Sequence, residues 1–195
     1  MDLWSDHTPD SWAHALDTYD AVIARQGVAR LPELDRWYTH DLPPLVAARA
    51  RPHVTHAELV RLTEWKMARG VWRAPNLVLV RGNDADVVER ASRDALAAVP
   101  DPKTPVATLA TLAGVGPATA SAVLAAAAPD VYPFFDELVA AQVPALGPVK
   151  FTAAYYARYA DALRARAASL GGWTPAAVER ALWAHAGGKA RLPGA

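Results

Sequence analysis

Two glycines and one aspartate are the residues of this sequence whose types and spacing could support chemistry. Gly114 and Gly116 flank Val115 within an apolar helical pattern, and Asp136 follows 20 residues after the second glycine. Glycine places no side chain between the backbone and an approaching molecule, and the amides that begin the next helix can bind an anion such as a phosphate. The spacing therefore predicts a backbone anion site followed by a carboxylate. The alternative is an ordinary turn between two helices, with the glycines present only for tightness.

The glycines interrupt residues 104–129, which carry no charge in a chain of 20 acidic and 20 basic residues. A site made of backbone amides requires no charged side chain, which accounts for this uncharged run. The glycine, proline and hydroxyl residues within it argue against a membrane span. The acidic N-terminus lacks the basic and apolar regions of a signal peptide. We therefore expect no membrane association and a cytoplasmic location.

The run LATLAGVGPATASAVLAAA resembles the helix-hairpin-helix element, with the pattern L-x-x-L-x-G-V-G-x-x-T-A. The matching residues are Leu109, Leu112, Gly114, Val115, Gly116, Thr119 and Ala120. More broadly, the chain resembles the helix-hairpin-helix (HhH-GPD) DNA glycosylase superfamily, which includes endonuclease III and the 8-oxoguanine and 3-methyladenine glycosylases. In that family an aspartate follows the hairpin after an apolar pair, and Asp136 stands at that position. The resemblance covers about residues 104–142.

Three departures from the family pattern narrow the expected activity. Bifunctional members carry a lysine two residues after the second glycine, where this chain has Ala118. Without an amine at that position, the resemblance implies no Schiff base to the sugar and hence no lyase step. The family's Val-Asp-Thr-His segment is here Phe135-Asp136-Glu137-Leu138, and the absence of cysteine excludes an iron–sulfur cluster. The resemblance thus implies a monofunctional base-excision glycosylase.

By this resemblance, Asp136 is the catalytic residue. Cleavage of an N-glycosidic bond develops positive charge on the deoxyribose, which a carboxylate can stabilise while it orients the attacking water. The alternative is that Asp136 only caps the following helix, a role worth about 1 kcal/mol. Both roles are compatible with each other.

The resemblance also implies a partner and a binding element. Double-stranded DNA is the expected partner of a monomeric protein, and no cofactor is expected, apart from a monovalent cation at the hairpin carbonyls. The residues expected to hold a DNA phosphate are Gly114, Val115, Gly116, Ala118 and Thr119.

Aromatic and basic side chains elsewhere are candidates for a base pocket or for DNA contacts, because bases stack on aromatic rings. The alternative, which we favour for the tryptophans, is that they pack in the core. The histidines show no zinc-binding spacing, so we expect no metal site. The candidates are Trp37, Tyr38, Trp65, Lys66, Arg69, Trp72, Arg73 and Phe135.

Helix signals dominate the elements that must position these residues. Thr55 and Glu58 have the spacing of a capping box, Asn83 can cap a helix to about Ala98, and Gly70 is a natural stop. We predict that Thr104 and Thr174 are N-caps of further helices whose first residues are Pro105 and Pro175. A long helix is predicted over 151–170 and a short one over 137–143. The only strand-like run, at 76–80, could equally end a helix. The sequence predicts an all-α protein.

We expect one two-lobed unit over residues 1–195, with the hairpin lobe at about 41–133 and the second lobe formed by 1–40 and 134–195. The formal charges of residues 1–40, 41–81, 82–149 and 150–195 are about −4, +4, −5 and +5. Joining the second and fourth blocks would create one basic face, whereas pairing between blocks would neutralise it.

Two other function classes fit the same sequence. A non-catalytic nucleic-acid-binding relative would keep the hairpin after losing the chemistry, which a formal net charge of zero and the missing lysine and histidine favour. A helical protein-interaction domain would pack the hairpin against another protein.

Overall fold

The computed structural model describes residues 2–189, and within them the chain is 65% helical with no strand. The predicted all-α class is therefore confirmed. Short 3-10 turns lie at Leu3–Ser5 and Pro144–Leu146, and a π-helical turn, Trp37–Asp41, joins the third and fourth helices. The α-helices are α1 Pro9–Asp17, α2 Tyr19–Ala24, α3 Leu31–Arg36, α4 Leu42–Ala47, α5 His56–Arg69, α6 Ala74–Arg81, α7 Ala85–Ala97, α8 Thr104–Leu109, α9 Pro117–Ala127, α10 Glu137–Ala140, α11 Ala153–Leu170 and α12 Pro175–His185.

The capping signals read from the sequence set several of these bounds. The Glu58 amide donates to Thr55 Oγ1 at 3.3 Å and the Thr55 amide donates to Glu58 Oε2 at 2.8 Å, so the predicted capping box of α5 is confirmed. Gly70 ends that helix, as predicted. Thr174 caps α12 by accepting from the Ala177 amide at 3.0 Å.

Other bounds differ from the prediction. The strand-like run at 76–80 is helical and belongs to α6. Asp84 rather than Asn83 caps α7, because its carboxylate accepts from the amides of Asp86 and Val87. Thr104 is the first residue of α8 and not its N-cap, because Asp101 accepts from the amides of 103 and 104 and holds the start of the helix. Helix α10 ends at Ala140, before the predicted 143, and α11 starts two residues after 151.

Helix α9 lies at the centre of the molecule, since it is apolar on all sides. Residues 119–126 are all buried, and α9 packs against α4, α5 and α8. Small alanine side chains let neighbouring helices approach closely, and a helix that is apolar on all sides is stable only when enclosed. This placement fixes the start of α9 relative to α5.

The helices form two groups of neighbours within one continuous core. In one group, α5 packs against α6, α7 and α9, and α8 packs against α7 and α9; in the other, α12 packs against α1, α2, α10 and α11. Helix α3 and the π-turn extend from the second group to α5 and α4. The exact division into lobes at 41–133 stays a prediction. Across residues 2–189, no helix combines the length and apolar character needed to cross a bilayer.

Candidate active site and nucleic-acid interface

The hairpin consists of α8, α9 and the turn over residues 110–116 between them. Gly114 has φ of +75°, a left-handed conformation that favours glycine. A Cβ added there would lie 2.7 Å from the Asn76 carbonyl oxygen and 2.9 Å from Leu79 Cβ, so this glycine is also required by the close approach of α6. Gly114 therefore shapes the turn.

Gly116 serves a different purpose. Its φ is −97°, which any residue can adopt, and a Cβ added there would meet nothing within 4 Å. It is the N-cap residue of α9 and it is exposed. The sequence pattern treats the two glycines alike, whereas the structure makes Gly114 a packing residue and Gly116 an open backbone surface.

Asn83 fixes the turn to the end of α6. Its side-chain amide donates to the Ala113 carbonyl at 2.9 Å, and its Oδ1 accepts from the Ala113 amide at 2.9 Å. The sequence predicted that Asn83 caps a helix, because asparagine is a favoured N-cap residue and the contact with Ala113 is 30 residues away. The Asn83 carboxamide instead forms two hydrogen bonds with the Ala113 backbone, one as donor and one as acceptor.

An open pocket of about 310 Å³ joins the hairpin to the predicted aspartate. One wall is formed by residues 116–119 at the start of α9, and another by residues 134–137 before and within α10. Lys66, at the last turn of α5, together with Arg73 and Asn76 of the α5–α6 corner, completes the basic side. Seven predicted site residues thus lie at one place: Lys66, Arg73, Gly116, Ala118, Thr119, Phe135 and Asp136.

Asp136 lines this pocket although its exposed fraction is only 6%. Its Oδ1 accepts from the Leu138 amide at 2.7 Å, so the predicted N-cap of α10 is confirmed. No described group donates a hydrogen bond to Oδ2. One oxygen is therefore structural, and the other is available to a ligand in the pocket.

The positive charges around the pocket differ in their partners. Lys66 is half-buried and forms no ion pair or hydrogen bond with the described residues, whereas Lys189 pairs with Glu137. Burial lowers the pKa of Lys66, and the nearby Arg73 charge lowers it further, while Asp136 acts in the opposite direction. Arg73 is exposed and also lacks an ion-pair partner in the part of the chain that the structure describes.

Several predicted contact residues lie in the core, away from this pocket. Tyr38 stacks on Trp65 with ring centroids 3.5 Å apart, and Trp65 Nε1 donates to Asp35 Oδ1 at 2.8 Å. Both rings are buried, as is Trp37. The alternative that aromatic side chains pack in the core therefore holds for these three residues, because each ring is buried.

Arg69 is not at the surface either. It is 1% exposed and its Nη2 lies 2.8 Å from Glu179 Oε1, so it has no face available for a phosphate. Its guanidinium also lies over the Trp183 ring, 4.5 Å from the centroid. A smaller cavity of about 170 Å³ is lined by Tyr38, Trp65, Arg69 and Glu179, among others. Trp72, by contrast, is 54% exposed and lies outside the pocket wall.

Some pocket residues were not found from the sequence. Lys189 and Phe151 reach the pocket from segments distant in the chain, and no local pattern marks them. Asn76 belongs to the run that could be a strand or a helix, so the sequence did not determine which way its side chain faces. Phe134 belongs to the apolar pair before Asp136, to which the sequence assigned no role of its own.

Pairing neutralises much of the charge that could form a basic face. Of the seven basic residues in 41–81, four contact carboxylates: Arg49, Arg61, Arg69 and Arg81. The partner carboxylates of Arg61 and Arg69 belong to other charge blocks, as the pairing alternative expects. The remaining basic residues of the segment, Lys66 and Arg73 among them, carry its net positive charge.

Two carbonyl oxygens of the hairpin turn, where a monovalent cation was expected, already accept hydrogen bonds. The Leu112 carbonyl accepts from the Val115 amide at 3.1 Å, and that of Ala113 accepts from Asn83. A cation at this turn would therefore compete for these oxygens or use the others. No group of three or more His, Asp or Glu side chains arranged to hold a metal occurs among the described residues.

Comparison with known proteins found no match among family models, curated protein sequences or solved structures.

Proposed function

We propose that this protein is a monofunctional DNA glycosylase that hydrolyses the N-glycosidic bond of a damaged or non-standard base in double-stranded DNA. The observation that carries the proposal is that the Asp136 carboxylate and the open start of α9 line one pocket. Two cationic side chains that have no ion-pair partner within residues 2–189, Lys66 and Arg73, line the same space. A phosphodiester and the adjoining sugar would meet complementary groups there.

The start of α9 supplies the proposed phosphate site. The first amides of a helix have no intrahelical acceptor, and the helix dipole places positive potential beside them. Pro117 has no amide hydrogen and the Ala120 amide donates to the Gly116 carbonyl at 2.9 Å, so Ala118 and Thr119 carry the available donors. Because Gly116 has no side chain, a phosphate can approach them closely.

Asp136 supplies the proposed chemistry. As the bond between C1′ and the base nitrogen breaks, its electrons leave with the base and positive charge develops on the sugar. The Asp136 carboxylate stabilises that charge and orients a water, whose oxygen bonds to C1′ while its proton is transferred towards the departing base. The buried rings of Phe134 and Phe135 strengthen the electrostatic effect by lowering the local dielectric constant.

The test compares two substitutions at Asp136. Asparagine retains an oxygen that can accept from the Leu138 amide, so Asp136→Asn should keep the melting temperature while lowering base release by about 100-fold or more. Asp136→Ala should lose the activity and also about 1 kcal/mol of stability through the lost cap. Base release is measured on duplexes containing uracil, hypoxanthine, alkylated purines or 8-oxoguanine, followed by alkaline cleavage. Full activity in Asp136→Asn would rule out the proposed mechanism.

A second candidate is a non-catalytic DNA-binding protein. It is favoured by the nearly complete burial of Asp136 and by the structural use of its Oδ1. In that case, duplexes would bind in a salt-dependent manner without base release from any substrate. A domain that binds only proteins would show no duplex binding at low salt.

A further inference from the structure

Residues 132–136, which lead into α10 and end at the aspartate of the pocket, form no regular secondary structure. All five are buried, so their backbone polar groups need partners from other parts of the chain. On one side, Tyr156 and Tyr159 of α11 donate hydrogen bonds to the carbonyls of residues 133 and 134, at 3.1 and 2.7 Å. Side chains of another helix therefore hold this segment in place.

Ser121 of α9 holds the same segment from the other side. Its Oγ accepts from the Phe135 amide at 2.9 Å and donates to the Ala118 carbonyl at 2.9 Å. Phe135 and Ala118 belong to different walls of the pocket, whereas Ser121 is fully buried and lies outside the pocket lining. One hydroxyl therefore joins the backbone next to Asp136 to the first turn of α9.

We propose that Ser121 is a positioning residue, which holds the Asp136 carboxylate at a fixed distance from the phosphate site at the start of α9. This inference rests on the proposed function for the reaction that Asp136 promotes. Ser121 contacts no substrate atom, because it acts only through the two peptide groups that its hydroxyl joins.

A serine at this position does what the neighbouring alanines of α9 cannot do. A hydroxyl has one donor and two acceptor sites, so Ser121 can serve both peptide groups at once. Among residues 2–189 the Phe135 amide has no other acceptor, and without the hydroxyl it would be a buried donor with no partner. The segment would then shift to reach water or another acceptor, and Asp136 would move with it.

The first test measures base release and duplex affinity separately. A displacement of about 1 Å between groups that act on one substrate can lower a rate by about 100-fold. Ser121→Ala should therefore lower the single-turnover rate of base release by about 10- to 100-fold. Duplex affinity should stay nearly unchanged, because the amides at the start of α9 are retained. Ser121→Cys keeps a weaker donor and acceptor in a similar volume and should give an intermediate rate.

Ser92→Ala is the matched control. Ser92 is also fully buried, and its Oγ accepts from the Val54 amide at 3.0 Å and donates to the Val54 carbonyl at 3.1 Å. The substitution removes the same kind of contact outside the pocket, so it should lower the melting temperature to a similar extent while retaining the rate. Equal losses of rate in Ser121→Ala and Ser92→Ala would overturn the proposal, because general destabilisation would explain both.

Amide hydrogen exchange separates this inference from the proposed function. The Leu138 amide donates to Asp136 Oδ1, so its exchange rate reports whether the carboxylate keeps its place. In Ser121→Ala, or in Ser121→Cys if the alanine variant does not fold, the amides of Phe135 and Leu138 should exchange about 10-fold faster. Ser92→Ala should instead affect the Val54 amide.

If the natural protein releases no base from any duplex, the proposed function fails and the exchange measurement alone decides about Ser121. Faster exchange at Leu138 in the Ser121 variant would support the positioning role. Unchanged exchange at Leu138 would overturn it, because Asp136 would then keep its place without the hydroxyl.

Discussion

At the scale of single residues, Arg69 and Glu179 form an ion pair that is almost completely enclosed by aromatic side chains. Desolvation makes each charge unfavourable by itself, so each depends on the other. Removing Arg69 would leave the buried Glu179 carboxyl without its cation and should destabilise the protein by about 3–5 kcal/mol, as for other buried pairs. The pair therefore belongs to the structural core, although Arg69 lies only three residues from Lys66.

The pH dependence of stability should report this burial. Desolvation raises the pKa of Glu179 to about 7, with Arg69 opposing the shift, from a usual value of 4.5. The folded chain then holds this proton more tightly than the unfolded chain. The contribution of protonated Glu179 to the free energy of unfolding is therefore full below about pH 4.5 and is lost as pH rises through 7. Melting temperatures are compared between the natural protein and Glu179→Gln.

The melting temperature of the natural protein minus that of Glu179→Gln should fall as pH rises over that range and then become constant. Other titrating groups affect both proteins alike and cancel in the comparison. A difference that grows with pH would mean that Arg69 holds Glu179 ionised in the folded state.

At the scale of elements, the two glycines of the hairpin should respond differently to the same substitution. Gly114→Ala places a Cβ against α6 in a left-handed conformation and should cost about 1–3 kcal/mol of stability. A Cβ at Gly116 would have no atom of another described residue within 4 Å, its chain neighbours aside, so Gly116→Ala should leave the melting temperature nearly unchanged. Its Cβ would instead obstruct a phosphate, so duplex affinity should fall.

Chemical denaturation and duplex binding, measured on both variants, check this prediction. Each variant serves as the control for the other. Unchanged binding in Gly116→Ala would argue that the open backbone is not a ligand surface, and unchanged stability in Gly114→Ala would contradict the tight packing against α6.

The sequence predicted those elements whose signals are local. The capping box at Thr55, the cap at Thr174 and the stop at Gly70 involve contacts within one turn, so their spacing was sufficient. The role of Asn83 was missed because its partner is 30 residues away. The run at 76–80 was ambiguous because a short apolar segment fits both periodicities, and in the structure it is part of a helix that packs against α5.

At the scale of the whole molecule, the site draws on segments that only the fold unites. The sequence identified Asp136 and the hairpin, because a contiguous motif carries them. It could not show that Lys66 faces them while Arg69 of the same helix is buried, since both lie in one mixed run of basic and aromatic residues. The net charges of the four sequence segments also could not show which basic side chains would form ion pairs.

The observed pairing leads to a prediction about salt. Under the proposed function, Lys66 and Arg73 are the pocket cations that have no ion-pair partner among residues 2–189, so DNA binding would release few counterions. The slope of log affinity against log salt should then be shallow, about −2. Arg73→Ala should reduce the magnitude of the slope by about 1. Arg51→Ala, which removes an exposed arginine outside the pocket, should leave it unchanged. Binding titrations between low and physiological salt measure these slopes, and a much steeper slope would indicate a larger basic contact surface.

The double contact between Asn83 and the Ala113 peptide has a thermodynamic consequence for any ligand of the turn. Because the loop is already held by the corner between α6 and α7, its conformational entropy is lost when the chain folds and not when a ligand arrives. The turn over residues 110–116 is therefore preorganised, and binding of a ligand there should show little heat-capacity change from loop ordering, as for a rigid receptor.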